Sequence, residues 1–552
     1  MINVIIDRNA YQYEKGIILS KICDDFQKDY EFPILVALVD NDIYELNKSI
    51  DKDCSIKFIT LLDELGNKIY QKGLIFLLNY CFRKLYGYEK ELKVCHSLDK
   101  SILIYSDLDI NGDVLNNISS KMNEVVEEGL NISKCLVKRR DARKYFEQIN
   151  DLKKANSFKY IANHYVTLYK IDDYYNYLYC KMPISTSVFK DFKLKVYSNN
   201  KFILQFPTTD GNIPEFFNHE KVVAAYKENY KLSEKLNIYT SSDLNEIVSH
   251  GEINSIIKID EVIASNRLLN IATDIYNKKD DIKLVLLAGP SSSGKTTTAR
   301  KLTMFLKSFG LNPISLSIDD YFKDRVDTPK LDNGDYDFES INAIDVDLFN
   351  SHLIRLLNSE EVSMPTFNFT TGEKEYLGKN VKLKKGDILV IEGLHAINEE
   401  LTKSIPRENK FKIFLSPLTD LNIDDQNMVS TADLRLIRRI VRDNRTRGYT
   451  ALDTIRRWNN VRDGEIKYIF PYQDDVDCVY NTALIYEIGV LRLYAEPLLC
   501  DISIDDPYYE EVKRLLNFLG MFLAIPTEGI PSESIVREFI GNSFFEEGKW
   551  WK

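Results

Sequence analysis

The stretch Lys283-Leu-Val-Leu-Leu-Ala-Gly-Pro-Ser-Ser-Ser-Gly-Lys-Thr-Thr297 decides the fold of the C-terminal half of the chain. Its apolar run from Leu284 to Ala288 predicts a buried strand, and the residues from Thr297 to Phe309 have helical periodicity. Between them lies the spacing G-x-x-x-x-G-K-[ST], which is typical of a phosphate-binding loop in this strand–loop–helix context. The stretch therefore predicts a site for a phosphorylated ligand.

Each residue type in this loop has a physical role. Glycines let backbone N–H groups curl around phosphates, and the helix N-terminus adds a partial positive charge. Lys295 can reach the β- and γ-phosphates, and the hydroxyl of Thr296 can ligate Mg²⁺. The alternative is a Ser/Gly-rich turn that binds no ligand. The candidate phosphate-binding residues are Gly289, Pro290, Ser291, Ser292, Ser293, Gly294, Lys295, Thr296 and Thr297.

The length and net charge of the chain limit the number of domains and the kinds of partner that we expect. The chain has 552 residues, which predicts roughly three or four domains, and a formal net charge of −11. An acidic chain lacks the global electrostatic footprint of a nucleic-acid-binding protein, so we expect no nucleic-acid partner. The eight cysteines are scattered without a C-x-x-C pair, which favours reduced core thiols. Neither a signal peptide nor an apolar run of about 18 residues is present, so we expect a cytoplasmic protein without a membrane partner.

Around the loop, residues 281–500 alternate predicted strands with helical segments. This alternation indicates an α/β fold in which helices cover both sides of a parallel sheet. Residues 207–280 read as a helical connector and residues 501–552 as a C-terminal helical extension. The predicted strands of the sheet are residues 283–288, 313–318, 387–392, 410–415 and 477–482.

Two further units are predicted in front of the connector. Residues 1–64 have a β-α-β-β-β pattern, which indicates a β-grasp domain. Residues 65–206 mix amphipathic helices with strand-like segments and indicate an α+β domain.

Carboxylates follow two of the predicted strands. Asp319 and Asp320 come after the second strand, and Glu392 ends the third. Because strand C-termini face the ligand crevice of a parallel sheet, one aspartate is expected to lie near the γ-phosphate and to accept the proton of an attacking hydroxyl. Glu392 suits an acid that acts on Mg²⁺ directly or through water. The alternatives are helix-capping aspartates and a solvated strand end.

Arginines recur at helical spacing downstream of the sheet strands. Arg435, Arg438, Arg439 and Arg442 fall at i, i+3, i+4 and i+7 and so share one broad face, and Arg447 follows. This helix could close over the phosphates and neutralise charge during transfer. The alternative is a solvated face paired with nearby acids.

Six motifs together resemble the uridine/cytidine kinase branch of the phosphoribulokinase-like P-loop kinases. They fall in the order of that family over roughly 200 residues. The motifs are Gly-Pro-Ser-Ser-Ser-Gly-Lys-Thr (289–296), Leu-Ser-Ile-Asp-Asp-Tyr-Phe (316–322), Tyr-Asp-Phe-Glu-Ser-Ile-Asn-Ala-Ile-Asp (336–345), Pro-Thr-Phe-Asn-Phe (365–369), Ile-Glu-Gly-Leu-His-Ala-Ile (391–397) and Asp-Leu-Arg-Leu-Ile-Arg-Arg-Ile-Val-Arg-Asp (433–443).

The resemblance implies roles for individual residues. Asp319 aligns with the catalytic base, with Asp320 as the fallback, and Asp337 falls where the family holds ribose hydroxyls. Phe367 and Asn368 stand where the family has Tyr-Asp in its nucleoside pocket, a departure that removes a hydroxyl and a charge and predicts changed base specificity. No counterpart of the base-contacting histidine is evident around Thr370. The implied catalytic residues are Asp319, Lys295, Arg438 and Arg442, the implied substrate-binding residues are Asp320, Tyr321, Asp337, Phe367, Asn368 and Arg447, and the implied metal ligands are Thr296 and Glu392.

The front of the chain is similar to threonyl-tRNA synthetases. Residues 1–64 resemble their TGS domain, and residues 65–206 resemble their accessory editing domain. The histidine motifs of that editing site are missing, since Lys72-x-x-x-Phe76 and Cys180-x-x-x-Ile184 stand at the most similar positions. We therefore expect no editing activity. The complete architecture, including the Ser-Ile-x-Arg-Glu-Phe-Ile-Gly motif at residues 534–541, resembles bacterial uridine kinase-like nucleoside kinases.

The leading hypothesis is thus an ATP- and Mg²⁺-dependent kinase that phosphorylates the 5′-hydroxyl of a nucleoside, with uridine or cytidine expected. One alternative is a related P-loop kinase for another small hydroxyl compound, such as a sugar phosphate or pantothenate. A second is a nucleotide-gated RNA-binding regulator. The sequence leaves open whether the chain is a homo-oligomer.

Overall fold

The structure, a computed structural model, describes residues 1–331, 334–368, 371–419 and 421–546. Residues 2–59 fold around a five-stranded sheet of order β2-β1-β7-β4-β5, in which β1 is parallel to β7 and the other pairs are antiparallel. This is a β-grasp arrangement, with Leu19 and Ile22 of α1 buried against the sheet. Its elements are β1 (Ile2–Ile6), β2 (Asn9–Tyr13), β3 (Ile17–Ile18), α1 (Leu19–Phe26), β4 (Val36–Val39), β5 (Asp42–Tyr44), β6 (Ser49–Ile50) and β7 (Cys54–Ile59).

The predicted β-α-β-β-β order omitted one strand of this sheet. Strand β2, Asn-Ala-Tyr-Gln-Tyr, follows a tight turn at Asp7 and Arg8, which both have positive φ angles of 48° and 68°. None of its residues is fully buried, so it lacks the apolar alternation that marks a half-buried strand. This strand therefore forms because it pairs with β1, and its own sequence has no hydrophobic pattern that predicts it.

Residues 64–205 contain two sheets packed around a long buried helix, α2. The sheets have the orders β10-β11-β12 and β13-β14-β9-β8, and α2 buries residues on most of its surface. The elements are α2 (Glu64–Tyr86), β8 (Leu92–Leu98), β9 (Ser101–Ser106), α3 (Gly112–Glu128), β10 (Ser133–Lys138), α4 (Arg139–Gln148), α5 (Leu152–Ser157), β11 (Tyr165–Ile171), β12 (Tyr174–Tyr177), β13 (Lys193–Ser198) and β14 (Lys201–Gln205).

Three helices then connect the front of the chain to the phosphate loop. They are α6 (Glu220–Leu236), α7 (Ser241–Ser249) and α8 (Ile253–Asn277). Helix α7 begins at a capping box, in which the carboxylate of Asp243 accepts the N–H of Thr240 at 2.9 Å.

A parallel sheet of order β16-β21-β15-β22-β23 follows, and all five predicted strands form it. Alternate residues of the central strand enter different cores, since Leu284 and Leu286 pack on one face and Val285 and Leu287 on the other. The elements are β15 (Leu284–Ala288), α9 (Lys295–Ser308), β16 (Asn312–Ser317), α10 (Val346–Leu357), β17 (Val362–Ser363), β18 (Thr366–Asn368), β19 (Glu373–Glu375), β20 (Asn380–Val381), β21 (Asp387–Glu392), α11 (Glu399–Thr402), β22 (Lys410–Ser416), α12 (Thr431–Arg447), α13 (Ala451–Tyr468), β23 (Cys478–Asn481), α14 (Glu487–Cys500), α15 (Tyr509–Leu519) and α16 (Val536–Ile540). The sheet is therefore buried on both sides, as its apolar strands require.

One cluster of buried apolar side chains joins residues 142–168 of the front of the chain to the connector helices and the parallel sheet. It includes Phe158 from the front, Leu268 of α8, Leu287 of β15 and Phe518 of α15. In the part of the chain that the structure describes, no helix is long and apolar enough to cross a membrane.

Candidate active site

The loop between β15 and α9 has the backbone of a phosphate-binding cradle. Ser292 and Gly294 adopt left-handed φ angles of 59° and 85°, a conformation that is strained for serine and clusters at ligand sites. Gly289 is required by space, because a Cβ atom there would lie 2.3 Å from the carbonyl oxygen of Leu415. The loop geometry thus depends on the two glycines that define the motif.

Backbone groups of the loop form hydrogen bonds with residues from other parts of the fold. Arg435 Nε donates to the carbonyl of Ser291 at 2.8 Å, and Glu465 accepts the N–H of the same residue at 2.8 Å. The hydroxyl of Thr482 donates to the carbonyl of Ser293 at 2.7 Å. Among the described residues, the buried hydroxyls of Ser292 and Ser293 have no hydrogen-bond partner. Unpartnered buried donors in a fixed loop fit a bound phosphate.

Lys295 lies at the first position of α9 and bends back over the loop. Its Nζ atom donates to the carbonyls of Gly289 at 3.0 Å and Pro290 at 3.2 Å. Burial lowers the pKa of this lysine, and the nearby carboxylates of Glu392 and Asp319 oppose that effect. The ammonium group is therefore held by the two loop carbonyls and lies within the electrostatic influence of two acids.

The two acids come from neighbouring strands. Glu392 ends β21 and accepts a hydrogen bond from Ser317 of β16 at 2.9 Å, since these residues are paired in the sheet. Asp319 lies in the short 3₁₀ turn that follows β16. Burial, together with the charge of Asp319, raises the pKa of Glu392 to about 7. Two carboxylates thus lie near Lys295 at the C-terminal edge of the sheet.

The next two residues of the same turn face elsewhere. The Oδ1 atom of Asp320 accepts the N–H of Phe367 at 3.4 Å and so links the turn to β18. Tyr321 is buried, with its hydroxyl 3.1 Å from His352 Nδ1 and its ring packed edge-on against Phe349. The expectation that Tyr321 binds substrate is therefore corrected, because its side chain belongs to the core.

Helix α12 points two of its arginines into the protein. Arg438 is completely buried and forms a bidentate ion pair with Glu487 at 2.7 and 2.9 Å. It also donates to the carbonyls of Ser292 at 3.2 Å and Thr482 at 2.9 Å. This placement corrects the expectation that Arg438 faces the migrating phosphate, since its guanidinium supports the loop from behind. Arg435 has the same role through its buried ion pair with Glu465.

The other arginines of α12 surround one carboxylate. Asp443 is paired with Arg439 at 3.2 Å, Arg442 at 2.8 Å and Arg447 at 3.7 Å. Arg439 also donates to the Ser291 hydroxyl at 2.7 Å. Repulsion by Arg442, followed by burial, lowers the pKa of Arg447 to about 10. Three cations share one buried anion here, so this cluster carries an excess of positive charge beside the loop.

Residues 284–484 match the sequence model of the family described as "Phosphoribulokinase / Uridine kinase family". These residues form a domain of that family. The kinase domain (residues 284–484) thus contains the loop, both acids and the arginine cluster.

Curated relatives resemble two parts of the chain. A uridine kinase from Deinococcus deserti is 28% identical over 195 residues, which are 35% of this chain and 84% of that protein. A uridine kinase from Leuconostoc citreum is 29% identical over 170 residues, 31% of this chain and 72% of that protein. A threonine–tRNA ligase from Clostridium kluyveri is 28% identical over 168 residues, 30% of this chain and 26% of that protein. The chain therefore also carries a synthetase-like region.

The proposed acceptor side of the kinase domain lies near residues 337 and 367. Asp337 is half-buried and accepts the N–H of Ser340 at 3.1 Å and the hydroxyl of Tyr468 at 3.5 Å. Phe367 is buried, with its ring centre 5.5 Å from that of Phe322. Asn368 donates from its amide to Glu375 at 2.9 Å. Phe369 and Thr370, which the resemblance also singled out, lie outside the described residues.

Sequence reasoning missed Glu339 of the kinase domain. Burial raises the pKa of Glu339 to about 7, and Arg439 and Lys295 lie close enough to oppose that effect. Its Oε2 atom has no hydrogen-bond partner among the described residues. Next to it, His395 Nε2 is 2.9 Å from the Glu339 carbonyl oxygen, and burial lowers the pKa of His395 to about 4. The position of Glu339 in the motif at 336–345 was the only available signal.

The site fits a Mg²⁺ ion whose ligands come partly from the protein and partly from phosphate and water. Among residues 1–331, 334–368, 371–419 and 421–546, no group of three or more His, Cys, Asp or Glu side chains is placed to hold a metal ion. Mg²⁺ usually takes one or two protein ligands and completes its shell with phosphate and water. Thr296, at the second position of α9, and Glu392 fit this pattern.

The lysine and cysteine at the positions most similar to the editing motifs lie near Tyr179 and near charged groups. Lys72 Nζ lies 5.1 Å from the centre of the Tyr179 ring, and burial raises the pKa of Cys180 to about 11. His96 stacks on Tyr226 with ring centres 3.5 Å apart, and burial lowers its pKa to about 4. The absence of editing activity stays a prediction.

Proposed function

We propose that the chain is an ATP-dependent nucleoside kinase that transfers the γ-phosphate to the 5′-hydroxyl of uridine or cytidine. The observation that carries this proposal is the convergence of Asp319 and Glu392 on Lys295 beside the phosphate loop. A simple nucleotide-binding switch needs the loop and one acid, whereas a phosphotransferase also needs a base for the acceptor hydroxyl.

On the donor side, the loop amides, the hydroxyls of Ser292 and Ser293, and Lys295 hold the phosphates of ATP. Lys295 exchanges its two loop carbonyls for phosphate oxygens, which compensate a buried ammonium better than neutral carbonyls do. Thr296 and Glu392 would hold Mg²⁺, which would supply neutralisation of the phosphate charge.

On the acceptor side, Asp319 receives the proton of the 5′-hydroxyl. A bond forms between that oxygen and the γ-phosphorus, the bond from the γ-phosphorus to the bridging oxygen breaks, and ADP leaves. Arg442 and Arg447 stabilise the charge on the transferred group, and Arg439 joins them because it contacts Ser291 of the loop. The side chain of Asp320 is engaged with Phe367, which supports Asp319 as the base.

The nucleoside lies against Asp337, Phe367 and Asn368 in this proposal. Asp337 binds ribose hydroxyls, and the buried ring of Phe367 forms an apolar wall. Asn368 contributes an amide that is shared with Glu375. This pocket has fewer hydrogen-bonding groups for the base than the Tyr-Asp pair it replaces, so we expect modest discrimination among bases.

The test is ADP release by the full chain across a panel of uridine, cytidine, purine nucleosides, pantothenate and sugar phosphates. Uridine or cytidine should stimulate ADP release at least tenfold above the rate with water alone. Stimulation by pantothenate or a sugar phosphate only would move the acceptor to another class. The absence of stimulation by any compound, together with stoichiometric co-purification of RNA, would favour a regulator.

A further inference from the structure

The C-terminal motif at residues 534–541 reaches into the phosphate site. The Oε2 atom of Glu538 accepts the backbone N–H of Thr297 at 3.0 Å, across 241 positions of sequence. The carboxylate of Glu538 also lies close enough to Lys295 and Glu392 for its charge to act on both. A third carboxylate, from a distant part of the chain, therefore stands beside the groups that hold phosphate.

The amide of Thr297 is a donor that a nucleotide needs. It lies at the third position of α9, where N–H groups have no partner within the helix. The next amide, that of Thr298, already donates to the Gly294 carbonyl at 3.1 Å. Phosphate loops use these first-turn amides to cradle the phosphates of a nucleotide. The carboxylate of Glu538 thus accepts a hydrogen bond from an amide that a nucleotide phosphate would use.

The surrounding contacts hold this carboxylate in place. Arg445 of α12 donates to the backbone carbonyls of Glu538 at 3.0 Å and Phe539 at 3.1 Å, and it pairs with Glu546 at 3.1 Å. The side chain of Ile535 covers Gly294 so closely that a Cβ atom there would lie 2.8 Å from it. We call residues 534–546 the C-terminal strap. It contacts both the loop and the arginine helix.

We propose that the C-terminal strap is an autoinhibitory element in which Glu538 stands in for a nucleotide phosphate, and that nucleotide binding displaces Glu538 and loosens the strap. This proposal deepens the proposed function and rests on nucleotide binding at residues 289–297. A carboxylate and a phosphate cannot share one amide, because two anions in contact at a partly buried site repel each other. Nucleotide affinity is therefore set by competition with the chain's own carboxylate.

The first measurement is calorimetric binding of Mg-ADP to the full chain. Glu538→Gln keeps the side-chain shape and removes the charge, so we expect about tenfold tighter binding, the range of one charged hydrogen bond. Glu533→Gln is the matched control, because Glu533 is exposed immediately before the strap and accepts a hydrogen bond from the hydroxyl of the adjacent Ser532. Arg445→Gln leaves Glu538 intact but loosens its anchor and should also tighten Mg-ADP binding.

The second measurement is hydrogen exchange of the strap. Saturating Mg-ADP should speed exchange of the amides in residues 535–541 in the wild-type chain, and Glu538→Gln should already exchange faster without nucleotide. Unchanged or weaker Mg-ADP binding by Glu538→Gln would overturn the strap proposal, as would a strap that becomes more protected with nucleotide.

These outcomes separate the strap from the proposed function. Tighter Mg-ADP binding by Glu538→Gln, with no nucleoside stimulating turnover, would support the strap and contradict the proposed acceptor. Normal nucleoside turnover with unchanged Mg-ADP binding would contradict the strap alone. Failure of every variant and of the wild type to bind Mg-ADP would contradict both.

Discussion

Arg438 and Glu487 form a bidentate ion pair beneath the phosphate loop, with both side chains completely buried. The same guanidinium reaches the carbonyl of Ser292. The pair therefore connects α12 and α14 to the loop residue whose backbone is strained. Arg438 of this arginine-rich helix therefore supports the rigidity of the site from behind the loop.

Replacing Arg438 should unfold the site before it alters chemistry. Arg438→Met leaves the carboxylate of Glu487 buried without its ion-pair partner, with the N–H of Leu484 still donating to it, and breaking a buried pair in this way costs about 3–5 kcal/mol. We expect a large fall in the midpoint of thermal unfolding, which calorimetry measures. The double variant Arg438→Met/Glu487→Met removes both charges and should recover much of the loss. A stable Arg438→Met chain with abolished turnover would show instead that Arg438 is catalytic.

Asp319→Asn should separate nucleotide binding from transfer. Losing a general base typically lowers kcat by a factor of about 10²–10⁴, while Mg-ADP binding should be retained because the loop and Lys295 are intact. Asp320→Asn should cost less in kcat, since Asp320 contacts the backbone of Phe367. The measurements are kcat with the best nucleoside and calorimetric Mg-ADP affinity. Near-normal turnover of Asp319→Asn would move the base elsewhere.

Arg442 should act mainly on the rate of transfer. Removing one preorganised cation from a phosphoryl-transfer site lowers kcat by a factor of about 10²–10³, and the loss of its repulsion should leave Arg447 better stabilised. We expect Arg442→Met to show this fall in kcat with less than a threefold change in the nucleoside KM. Arg456→Met is a matched control, because Arg456 is a half-exposed arginine of α13 paired with Asp506. Equal losses in both variants would contradict the assignment.

His219 should make stability depend on pH. Its ring lies 3.6 Å from Asp99 and 2.5 Å from Asp474, and hydrogen bonding to Asp99, supported by Asp474, raises its pKa above the ordinary value of 6.5. A raised histidine pKa adds stability that is complete below about pH 6.5 and is lost as pH rises through the folded-state value. The difference in unfolding midpoint between the wild type and His219→Gln should therefore shrink as the pH increases. A difference that grows with pH would contradict this linkage.

The sheet and its loop could be predicted because local patterns encode them. The three inner strands β15, β21 and β22 are largely buried runs, and the loop motif lies between a strand and a helix, so the loop end that carries Lys295 and the strand end that carries Glu392 could be predicted from the sequence. Strand β2 could not be found in this way, because it is formed by pairing with β1.

The fine geometry of the site could not be predicted for a different reason. Helical spacing places Arg435, Arg438, Arg439 and Arg442 on one broad face, but that face is divided between the interior and the phosphate cluster, and only the packing of α12 decides which arginines lie on each side. Long-range partners carry no local signal at all. Glu465 and Glu538 contact loop residues that are 174 and 241 positions away.

The apolar cluster that joins Phe158, Leu268, Leu287 and Phe518 has a consequence for how the chain responds to damage. A shared interior links the unfolding of its parts, so the front and the catalytic half should melt in one cooperative transition. A cavity made at Phe158 would then lower the heat resistance of a phosphate loop far from it in sequence. The buried side chains that the front of the chain contributes between residues 142 and 168 are therefore expected to set the stability of the kinase domain as well as their own.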